Sequence, residues 1–375
     1  MTLKPHSPHI LLVIRHPVGG IRTYIKYIYT AQYFSSYRFT VITPESELPK
    51  KSESPGDWPP MAYRICKGTA SAIIRETIKI LRSEKVELIH AHGFTSGICS
   101  ALPARLFSVP LIMTAHDVLL EKQFAGIRGK IKRYAVAWLF QMIDVIHAVS
   151  QDVSANIRYS IPELGGKNLV TITNGITISQ YEQQSKINYQ TEYGIDEACY
   201  KIGFLGRFMS QKGFRYLIDA VELLVLEYHL KGKFVVIALG SGGFIREEME
   251  LINSKGLHDC FLFLPPAENV APYIRGMDVV AMPSLWEASG LVAMEALVSG
   301  IPLIASDCIG LREVIGGSPA FVTEPANARA LAKTIMESMR DNRLEDFRQY
   351  QHIARERFDA ASTSRQLKQL YEGML

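Results

Sequence analysis

Residues 278–315 read DVVAMPSLWEASGLVAMEALVSGIPLIASDCIGLREVI, and this is the most informative stretch of the sequence. Its apolar start, Val279 to Met282, has the composition of a buried strand and ends at a Pro-Ser pair. A loop follows, and Gly290 comes before an apolar run with helical spacing. Glu287 and Glu295 lie eight positions apart across the loop and the helix. The pattern predicts a helix whose first turn lies above the end of a buried strand.

This predicted helix start is suited to binding an anion. The first N–H groups of a helix lack internal partners, and the helix dipole adds partial positive charge there. We therefore expect the N–H groups of Gly290, Leu291 and Val292 to hold a phosphate. Glu295 lies one turn beyond Leu291 on the same face, where it can accept hydrogen bonds from paired sugar hydroxyls. A phosphate cradle flanked by the carboxylates of Glu287 and Glu295 indicates a nucleotide-sugar site.

The same stretch resembles the donor-binding signature of the retaining glycosyltransferases of family 4, which have the GT-B fold. The family pattern is a Glu, seven residues and a second Glu, with Gly-Leu-Val between them. The resemblance continues through GIPLIASD and GLREVI. It departs at Ala288 and Ser289, where many members carry a Gly or Pro and a bulky residue, and this difference concerns the walls of the sugar pocket. The structural alternative is an ordinary helix behind a strand.

The run KIGFLGRFMSQKGF at 201–214 places two cations, Arg207 and Lys212, just after a predicted strand end. It is similar to the family's G-R-x(4)-K-G element, whose Arg and Lys contact the donor diphosphate. No Asp-x-Asp motif occurs in the chain. We therefore expect no metal and no other cofactor, because the two cations and the helix start can stabilise the leaving diphosphate. By themselves, an Arg and a Lys at this spacing are usually solvated surface charges.

Two glycine-rich loops complete the donor-side prediction. Gly19 and Gly20 follow the first predicted strand and open a helix, so the backbone can approach a donor phosphate or an acceptor closely. They look like the family's N-terminal Gly-Gly loop, although a glycine pair is often only a turn. The rival reading, a dinucleotide fingerprint, requires G-x-G-x-x-G, which is absent there. SGG at 241–243 is similar to the family's second glycine loop, and we expect it to act as a spacer.

Three histidines stand at predicted strand ends in the first half of the chain. His116 in MTAHD looks like the family's T-x-H element, whose His faces the sugar being transferred, and we assign it a catalytic role with Glu287, Arg207 and Lys212. Whether it donates a hydrogen bond or accepts a proton is left open. His90 is expected to be structural and His92 to orient the following loop. A metal site that uses both is the alternative, but it needs a third ligand.

The segment KQFAGIRGKIKRYAVAWLF at 122–140 carries five basic residues ahead of an apolar and aromatic run. A charge run is usually a solvated helix face. The functional alternative is a peripheral contact of 122–133 with an anionic membrane or with a polyprenyl-diphosphate acceptor. The same charges would suit a nucleic acid, but no nucleic-acid motif accompanies them, and we expect no such partner.

Apolar strand-like runs alternate with helical runs in two sets, which predicts an α/β protein with two Rossmann-like, doubly wound parallel sheets. The resemblance implies that the two domains face each other across a cleft. We place an acceptor-side domain at 1–177, a donor-binding domain at 178–356 and a C-terminal helix at 357–375 that packs back on the first domain. Residues 44–60 are predicted to form a polar loop.

Composition narrows the class of protein further. The chain has 375 residues, 47% of them hydrophobic and 21% charged, as in a well-cored globular protein. Five scattered cysteines and a polar N-terminus without a signal pattern favour a reducing, cytoplasmic setting, including the inner face of the cytoplasmic membrane. Residues 1–175 contain 21 basic and 12 acidic residues, whereas 176–375 contain 20 and 25. We therefore expect only the first half to meet an anionic partner.

The resemblance spans nearly the whole chain and implies a retaining, hexosyltransferase-type enzyme that moves a sugar from a nucleotide diphosphate sugar to a hydroxyl of a glycan or lipid-linked acceptor. Cell-envelope or exopolysaccharide synthesis is the expected setting. The donor base, the sugar and the acceptor are not predicted. A non-catalytic GT-B protein that binds a nucleotide sugar or acts as a scaffold is the alternative, and an epimerase or a phosphorylase on the same fold is a third.

Overall fold

The computed structural model describes residues 7–16, 19–44, 61–182 and 185–375. The chain forms two compact units, which we call the first unit (1–175 with 360–375) and the second unit (176–359). The sequence placed the corresponding boundaries at 177/178 and 356/357. Of the predicted loop 44–60, only Pro44 lies among the described residues, where it ends a strand.

The first unit contains a seven-stranded parallel sheet in the order β3-β2-β1-β4-β5-β6-β7. Its strands are β1 His9–Ile14, β2 Arg38–Pro44, β3 Met61–Cys66, β4 Leu88–His92, β5 Leu111–Ala115, β6 Val145–Ala148 and β7 Leu169–Thr171. Its helices are α1 Gly20–Ile28, α2 Ala31–Phe34, α3 Ala70–Ser83, α4 Phe94–Phe107, α5 Gly126–Phe140, α6 Gln151–Ser160 and the C-terminal α15 Ala360–Glu372. The helix expected at 357–375 therefore begins at Ala360, and it contacts α1 and α2 within this unit.

The second unit contains a six-stranded parallel sheet in the order β10-β9-β8-β11-β12-β13. Its strands are β8 Tyr200–Leu205, β9 Phe234–Leu239, β10 Phe261–Leu264, β11 Val279–Met282, β12 Leu303–Ser306 and β13 Phe321–Thr323. Its helices are α7 Tyr189–Tyr193, α8 Phe214–Leu226, α9 Ile245–Ser254, α10 Ala271–Arg275, α11 Leu291–Val298, α12 Leu311–Ile315, α13 Ala328–Arg340 and α14 Leu344–Arg357.

The apolar strand runs explain both sheets. Every residue of β1, β4, β5, β9 and β11 is buried, as expected for parallel strands covered on both faces. The strands β3 and β13 differ from these, and each forms one edge of its sheet. β3 has no fully buried residue, and β13 is only three residues long, so neither carries the continuous apolar signal.

The strand orders also locate the ligand-binding end of each unit. In an open parallel sheet, ligands bind at the carboxyl ends of the strands where the strand order reverses. That reversal falls between β1 and β4 in the first unit and between β8 and β11 in the second. The loops that leave these four strands contain Gly19 and Gly20, Gly93, Arg207 and Lys212, and Glu287. The fold therefore brings most of the predicted residues to the expected edge of their own sheet.

Candidate functional site

The loops that follow β8 and β11 are joined backbone to backbone. The Leu285 N–H donates to the carbonyl of Gln211 at 2.8 Å, and the Gln211 side-chain amide donates to the carbonyl of Trp286 at 3.0 Å. Gly213 has a φ of +67°, and a Cβ there would lie 1.9 Å from the carbonyl oxygen of Pro283. Only glycine permits this approach, which fixes the two loops against each other.

This junction pairs Lys212 with Glu287. The Lys212 ammonium lies 2.7 Å from Oε1 of Glu287, and the Ser284 hydroxyl donates to the same oxygen at 2.7 Å. The side chains of Lys212 and Glu287 are 19% and 7% exposed, so the pair is largely withdrawn from water. The sequence assigned these two residues to different parts of a donor and did not predict their ion pair, nor the part played by Ser284.

Helix α11 begins directly after this loop. Gly290 is its N-cap in the left-handed region, with φ 56° and ψ 52°, which explains why a glycine stands there. Its carbonyl accepts the first helical hydrogen bonds, from the N–H of Ala293 at 2.9 Å and of Met294 at 3.3 Å. The N–H groups of Gly290, Leu291 and Val292 precede that ladder, as expected for an anion-binding helix start.

Glu295 lies in the second turn of α11 and is buried. Burial raises the pKa of its carboxyl to about 7, while a hydrogen bond with the Tyr181 hydroxyl and the charge of Lys212 act in the opposite direction. Glu295 is therefore poised between its neutral and charged forms near neutral pH. Tyr181, in a short 3-10 helix at Ile178–Tyr181, carried no sequence signal for this role.

Arg207 leaves β8 as a half-buried cation. Within the described ranges its guanidinium has no ion-pair or side-chain hydrogen-bond partner, in contrast to Lys212. The SGG loop packs against the same segment: a Cβ on Gly240 would lie 1.8 Å from the carbonyl oxygen of Gly206, and one on Gly242 would lie 2.5 Å from backbone atoms of Phe208. This close packing agrees with the spacer role predicted for residues 241–243.

In the first unit, Gly19 has a φ of +55° and is the N-cap of α1, which begins at Gly20. The carbonyl of Gly19 accepts from the Thr23 N–H at 3.1 Å and from the Thr23 hydroxyl at 3.3 Å. Among the described residues, a Cβ on Gly20 would meet no heavy atom within 4 Å. Val18, which precedes Gly19 in the sequence, lies outside the described residues.

His116 follows β5 and is half-buried. Its Nε2 lies 3.0 Å from Nδ1 of His92, and the Tyr24 ring packs edge-on against it with ring centroids 4.8 Å apart. Burial, followed by the neighbouring rings of His92 and His147, holds the pKa of His116 well below its usual range. His116 is therefore neutral at physiological pH. The contact with Tyr24 was not predictable from the sequence.

His90 and His92 are buried on β4 and are engaged by hydroxyl groups. Nδ1 of His90 lies 2.6 Å from the Tyr371 hydroxyl, and Nε2 of His92 lies 3.0 Å from the Tyr29 hydroxyl. Over the described residues, no group of three or more His, Cys, Asp or Glu side chains is arranged to hold a metal ion.

The predicted contact segment 122–133 spans a 3-10 helix and the first half of α5. Lys122, Arg128, Lys130 and Lys132 are exposed, whereas Arg133 pairs with Glu163 at 2.9 Å. None of the described helices is long and apolar enough to span a lipid bilayer.

Large apolar side chains of α5 are exposed beside these cations. Ile127, Ile131, Tyr134 and Trp138 are 80%, 65%, 58% and 61% exposed, and their spacing of four, three and four residues places them along one face of the helix. We call these four residues the α5 stripe. The sequence indicated the basic residues and the apolar, aromatic run of this segment, but not the exposed helix face that these four side chains share.

A cavity of about 1040 Å³ opens at the other end of the second sheet, where the strands begin. Its lining includes Lys201, Asp278 and Pro302, which come at or just before the first residues of β8, β11 and β12. None of Arg207, Lys212, Glu287 and Glu295 lines it. These four predicted donor residues therefore lie outside the lining of the cavity.

Two family models match the chain. The model described as Glycosyltransferase Family 4 matches residues 18–180, and the model described as Glycosyl transferases group 1 matches residues 199–341. The chain belongs to glycosyltransferase family 4.

Curated relatives of this family 4 chain include two proteins named D-inositol 3-phosphate glycosyltransferase. The one from Saccharomonospora viridis is 28% identical over 266 residues, which cover 66% of this chain and 60% of that protein. The one from Actinosynnema mirum is 25% identical over 336 residues, or 82% of this chain and 78% of that protein. The chain thus spans less than two thirds of the length of the first relative.

Solved structures agree with the GT-B fold predicted for the chain. The crystal structure of Anabaena HepE in complex with UDP-glucose superposes with a TM-score of 0.79 at 19% identity, covering 97% of this chain and 99% of that protein. The predicted pair of Rossmann-like parallel sheets is confirmed.

Proposed function

We propose that this protein is a retaining glycosyltransferase that moves a sugar from a nucleotide diphosphate sugar to a hydroxyl of an acceptor. The observation that carries the proposal is the junction of the β8 and β11 loops, where Lys212 and Glu287 meet beside the start of α11. Cations and the N–H groups at a helix start are the groups that stabilise a departing diphosphate, and carboxylates are acceptors for sugar and ribose hydroxyls.

In this proposal Arg207, Lys212 and the N–H groups of Gly290, Leu291 and Val292 hold the diphosphate. The absence of a described partner for Arg207 supports its assignment to the ligand. These groups would stabilise the leaving group, and we propose that the enzyme needs no metal and no other cofactor. The backbone at Gly19 and Gly20, at the start of α1, is a second place where the main chain can come close to the donor or the acceptor.

Glu295 is assigned to the ribose hydroxyls, Glu287 to hydroxyls of the donor sugar and His116 to the sugar being transferred. Oε1 of Glu287 already accepts from both Lys212 and Ser284, which stabilises the carboxylate and makes it a weak nucleophile. This favours a same-face reaction, in which the leaving phosphate takes the proton of the acceptor hydroxyl, over a covalent intermediate on Glu287.

For the acceptor we propose a lipid-linked glycan or a related cell-envelope or exopolysaccharide precursor at an anionic membrane surface. The α5 stripe supports this, because four exposed apolar or aromatic side chains stand beside four exposed cations. That combination suits the interface of an anionic bilayer, where aromatic rings enter the headgroup region and cations meet phosphates. The setting would then be the cytoplasmic face of the membrane, in keeping with five free thiols.

The direct test is a thermal-shift screen of the purified protein against UDP, GDP, ADP and their sugar conjugates, in EDTA. A ligand that binds only the folded state raises the melting temperature by mass action. We expect one nucleotide diphosphate to shift it clearly, and the shift to vanish in Lys212→Ala. Sugar transfer is then assayed with the matching donor. Binding without turnover on any acceptor would favour the non-catalytic alternative, and no shift from a folded sample would overturn the donor site.

A further inference from the structure

A chain of hydrogen-bonded rings and hydroxyls runs through the buried interior of the first unit and ends at His116. It begins at a backbone carbonyl on the edge of the sheet and crosses three strands. Its members, in order, are Ile172 (carbonyl), His147, Thr114, His90, the pair Tyr29 and Tyr371, His92 and His116. All side chains before His116 are buried, so their hydrogen bonds have to be made among themselves.

The hydrogen bond between His147 and Ile172 determines which atoms donate and which accept along this series. Nε2 of His147 lies 3.0 Å from the carbonyl oxygen of Ile172, which can only accept, so this nitrogen carries the ring proton. Burial lowers the pKa of His147 to about 4, so the ring is neutral and Nδ1 accepts. The Thr114 hydroxyl, 2.8 Å away, must then donate to it.

The donor role of Thr114 in turn determines which nitrogen of His90 carries the ring proton. Because the single proton of Thr114 is already donated, its oxygen accepts from Nε2 of His90 at 2.6 Å. Burial holds the pKa of His90 well below its usual range, so His90 has one ring proton and its Nδ1 is an acceptor. This nitrogen faces the hydroxyls of Tyr371 and Tyr29 at 2.6 and 2.8 Å.

Four short contacts meet at the tyrosine pair. They are Tyr371 to His90 at 2.6 Å, Tyr29 to His90 at 2.8 Å, Tyr29 to Tyr371 at 2.9 Å and Tyr29 to His92 at 3.0 Å. The two hydroxyls supply two protons, so they can donate in at most two of these four contacts. A third becomes a hydrogen bond only if Nε2 of His92 carries a proton and donates to the Tyr29 oxygen. The arrangement with the most hydrogen bonds therefore places the His92 proton on Nε2.

The contact between His92 and His116 then determines which nitrogen of His116 carries the ring proton. With its proton on Nε2, neutral His92 accepts through Nδ1, and the partner at 3.0 Å is Nε2 of His116. We propose that Tyr29 and His92 are positioning residues that hold the ring proton of His116 on Nε2, so that Nδ1 of His116 accepts a hydrogen bond from the sugar being transferred. The role at the sugar rests on the proposed function, whereas the ring form of His116 does not.

Two tyrosine variants separate this proposal from a merely structural role. In Tyr29→Phe, Nε2 of His92 loses its acceptor, and a buried N–H without a partner is rarely tolerated. The His92 proton should move to Nδ1 and donate to His116, whose own proton then moves to Nδ1. Tyr371→Phe removes a hydroxyl from the same cluster, but Tyr29 can still donate to His90 and accept from His92. This matched control should leave His116 unchanged.

The measurement is the nitrogen chemical shift of isotopically labelled histidine, which distinguishes a protonated ring nitrogen from an unprotonated one. The His116 signals are assigned by their loss in His116→Gln. We expect Nε2–H in the wild type and in Tyr371→Phe, and Nδ1–H in Tyr29→Phe. A wild-type His116 protonated on Nδ1, or an unchanged ring form in a folded Tyr29→Phe, would overturn the proposal. The wild-type spectrum decides the first point even if the variant does not fold.

Kinetics test the role at the sugar. We expect Tyr29→Phe to lower kcat about tenfold, the effect of losing one hydrogen bond, with little change in the donor KM, and Tyr371→Phe to keep both. Full activity of His116→Gln would remove His116 from the proposed function, and the predicted shifts would still establish the chain of hydrogen bonds. Equal kinetic losses in both tyrosine variants would indicate a structural effect and contradict the positioning role.

Discussion

The two units hold their candidate residues by different means. In the second unit the groups are charged: Lys212 and Glu287 form an ion pair, and Arg207 adds a half-buried cation in the loop that leaves β8. In the first unit His116 ends a buried series of neutral rings and hydroxyls. Charged groups suit a diphosphate and neutral ones suit sugar hydroxyls. We therefore expect the second unit to govern electrostatic stabilisation and the first to govern the orientation of the sugar.

The largest effect should follow from removing the Lys212 charge. We expect Lys212→Gln to lower kcat by about 100- to 1000-fold, because one preorganised group at a developing charge contributes that much. The matched control is Lys201→Gln, at the other end of β8, where the ammonium lies 3.7 Å from Asp278. Steady-state kinetics with saturating donor measure both. Equal losses in the two variants would show that the effect is not specific to the diphosphate site.

A second test concerns the α5 stripe. We expect Ile127→Glu with Ile131→Glu to weaken binding to phosphatidylglycerol vesicles about 30-fold, because two apolar side chains no longer enter the interface. Leu226→Glu serves as the control, since that leucine is 64% exposed on α8 of the second unit. Sedimentation with vesicles gives the bound fraction. If the wild type stays in the supernatant, or the control loses as much, the membrane contact is wrong.

A third test separates binding from turnover in the second unit. Glu295→Ala should raise the donor KM about tenfold with little change in kcat, because hydrogen bonds to the ribose are made equally in the ground state and the transition state. The control is Glu248→Ala. Burial also raises the pKa of the Glu248 carboxyl, but its removal should leave the donor KM unchanged. A fall in kcat without a change in KM would place Glu295 at the reacting centre instead.

A further expected effect is on stability, and it has opposite signs in the two units. The pKa of Glu295 is raised from 4.5 to about 7, so the folded state holds this proton more tightly than the unfolded state does. The contribution of Glu295 to the free energy of unfolding therefore grows on acidification from pH 7 to 4.5. The pKa of His147 is lowered from 6.5 to about 4, so its contribution is lost on acidification from pH 6.5 to 4. Over its full pH window each change in the free energy of unfolding amounts to about 3 kcal/mol, because one pKa unit corresponds to about 1.4 kcal/mol.

Urea unfolding at pH 5 and pH 7 measures these contributions against two variants. Glu295→Gln should remove the gain on acidification, so the wild type should gain stability relative to it between pH 7 and pH 5. His147→Gln keeps a donor and an acceptor but cannot titrate, so it should resist acid better than the wild type. Parallel pH profiles for all three proteins would show that neither group is perturbed as described.

The same contrast explains what the sequence could predict. The residues of the second unit that we propose to bind the donor lie in two continuous runs, 201–214 and 278–315, whose strand, loop and helix order is local. The ion pair within them was not predictable, because Lys212 and Glu287 are 75 positions apart and meet only through the pairing of β8 with β11. Tyr181 likewise reaches Glu295 from a segment with no motif.

In the first unit the sequence located His116 by its resemblance to a motif, but not the groups around it. Tyr29 and Tyr371 are 342 positions apart, and their hydroxyls meet only because α15 returns to α1 and α2. A tyrosine in an amphipathic helix looks like any core residue until its hydroxyl has a partner. Apolar strands produce a recognisable pattern in the sequence. Hydrogen-bond networks between remote elements produce no such pattern.

The position of α15 in the chain bears on how the protein is made. The first unit is discontinuous in sequence, and α15 completes it: the Thr363 hydroxyl donates to the carbonyl of Thr173 at 2.7 Å, and the Ser364 hydroxyl donates to that of Ile28 at 2.9 Å. The second unit, by contrast, is one continuous segment. Domains tend to fold as units during synthesis. A nascent chain paused on the ribosome with 176–359 exposed would have its later-made unit complete, while its earlier-made unit still awaited its last helix.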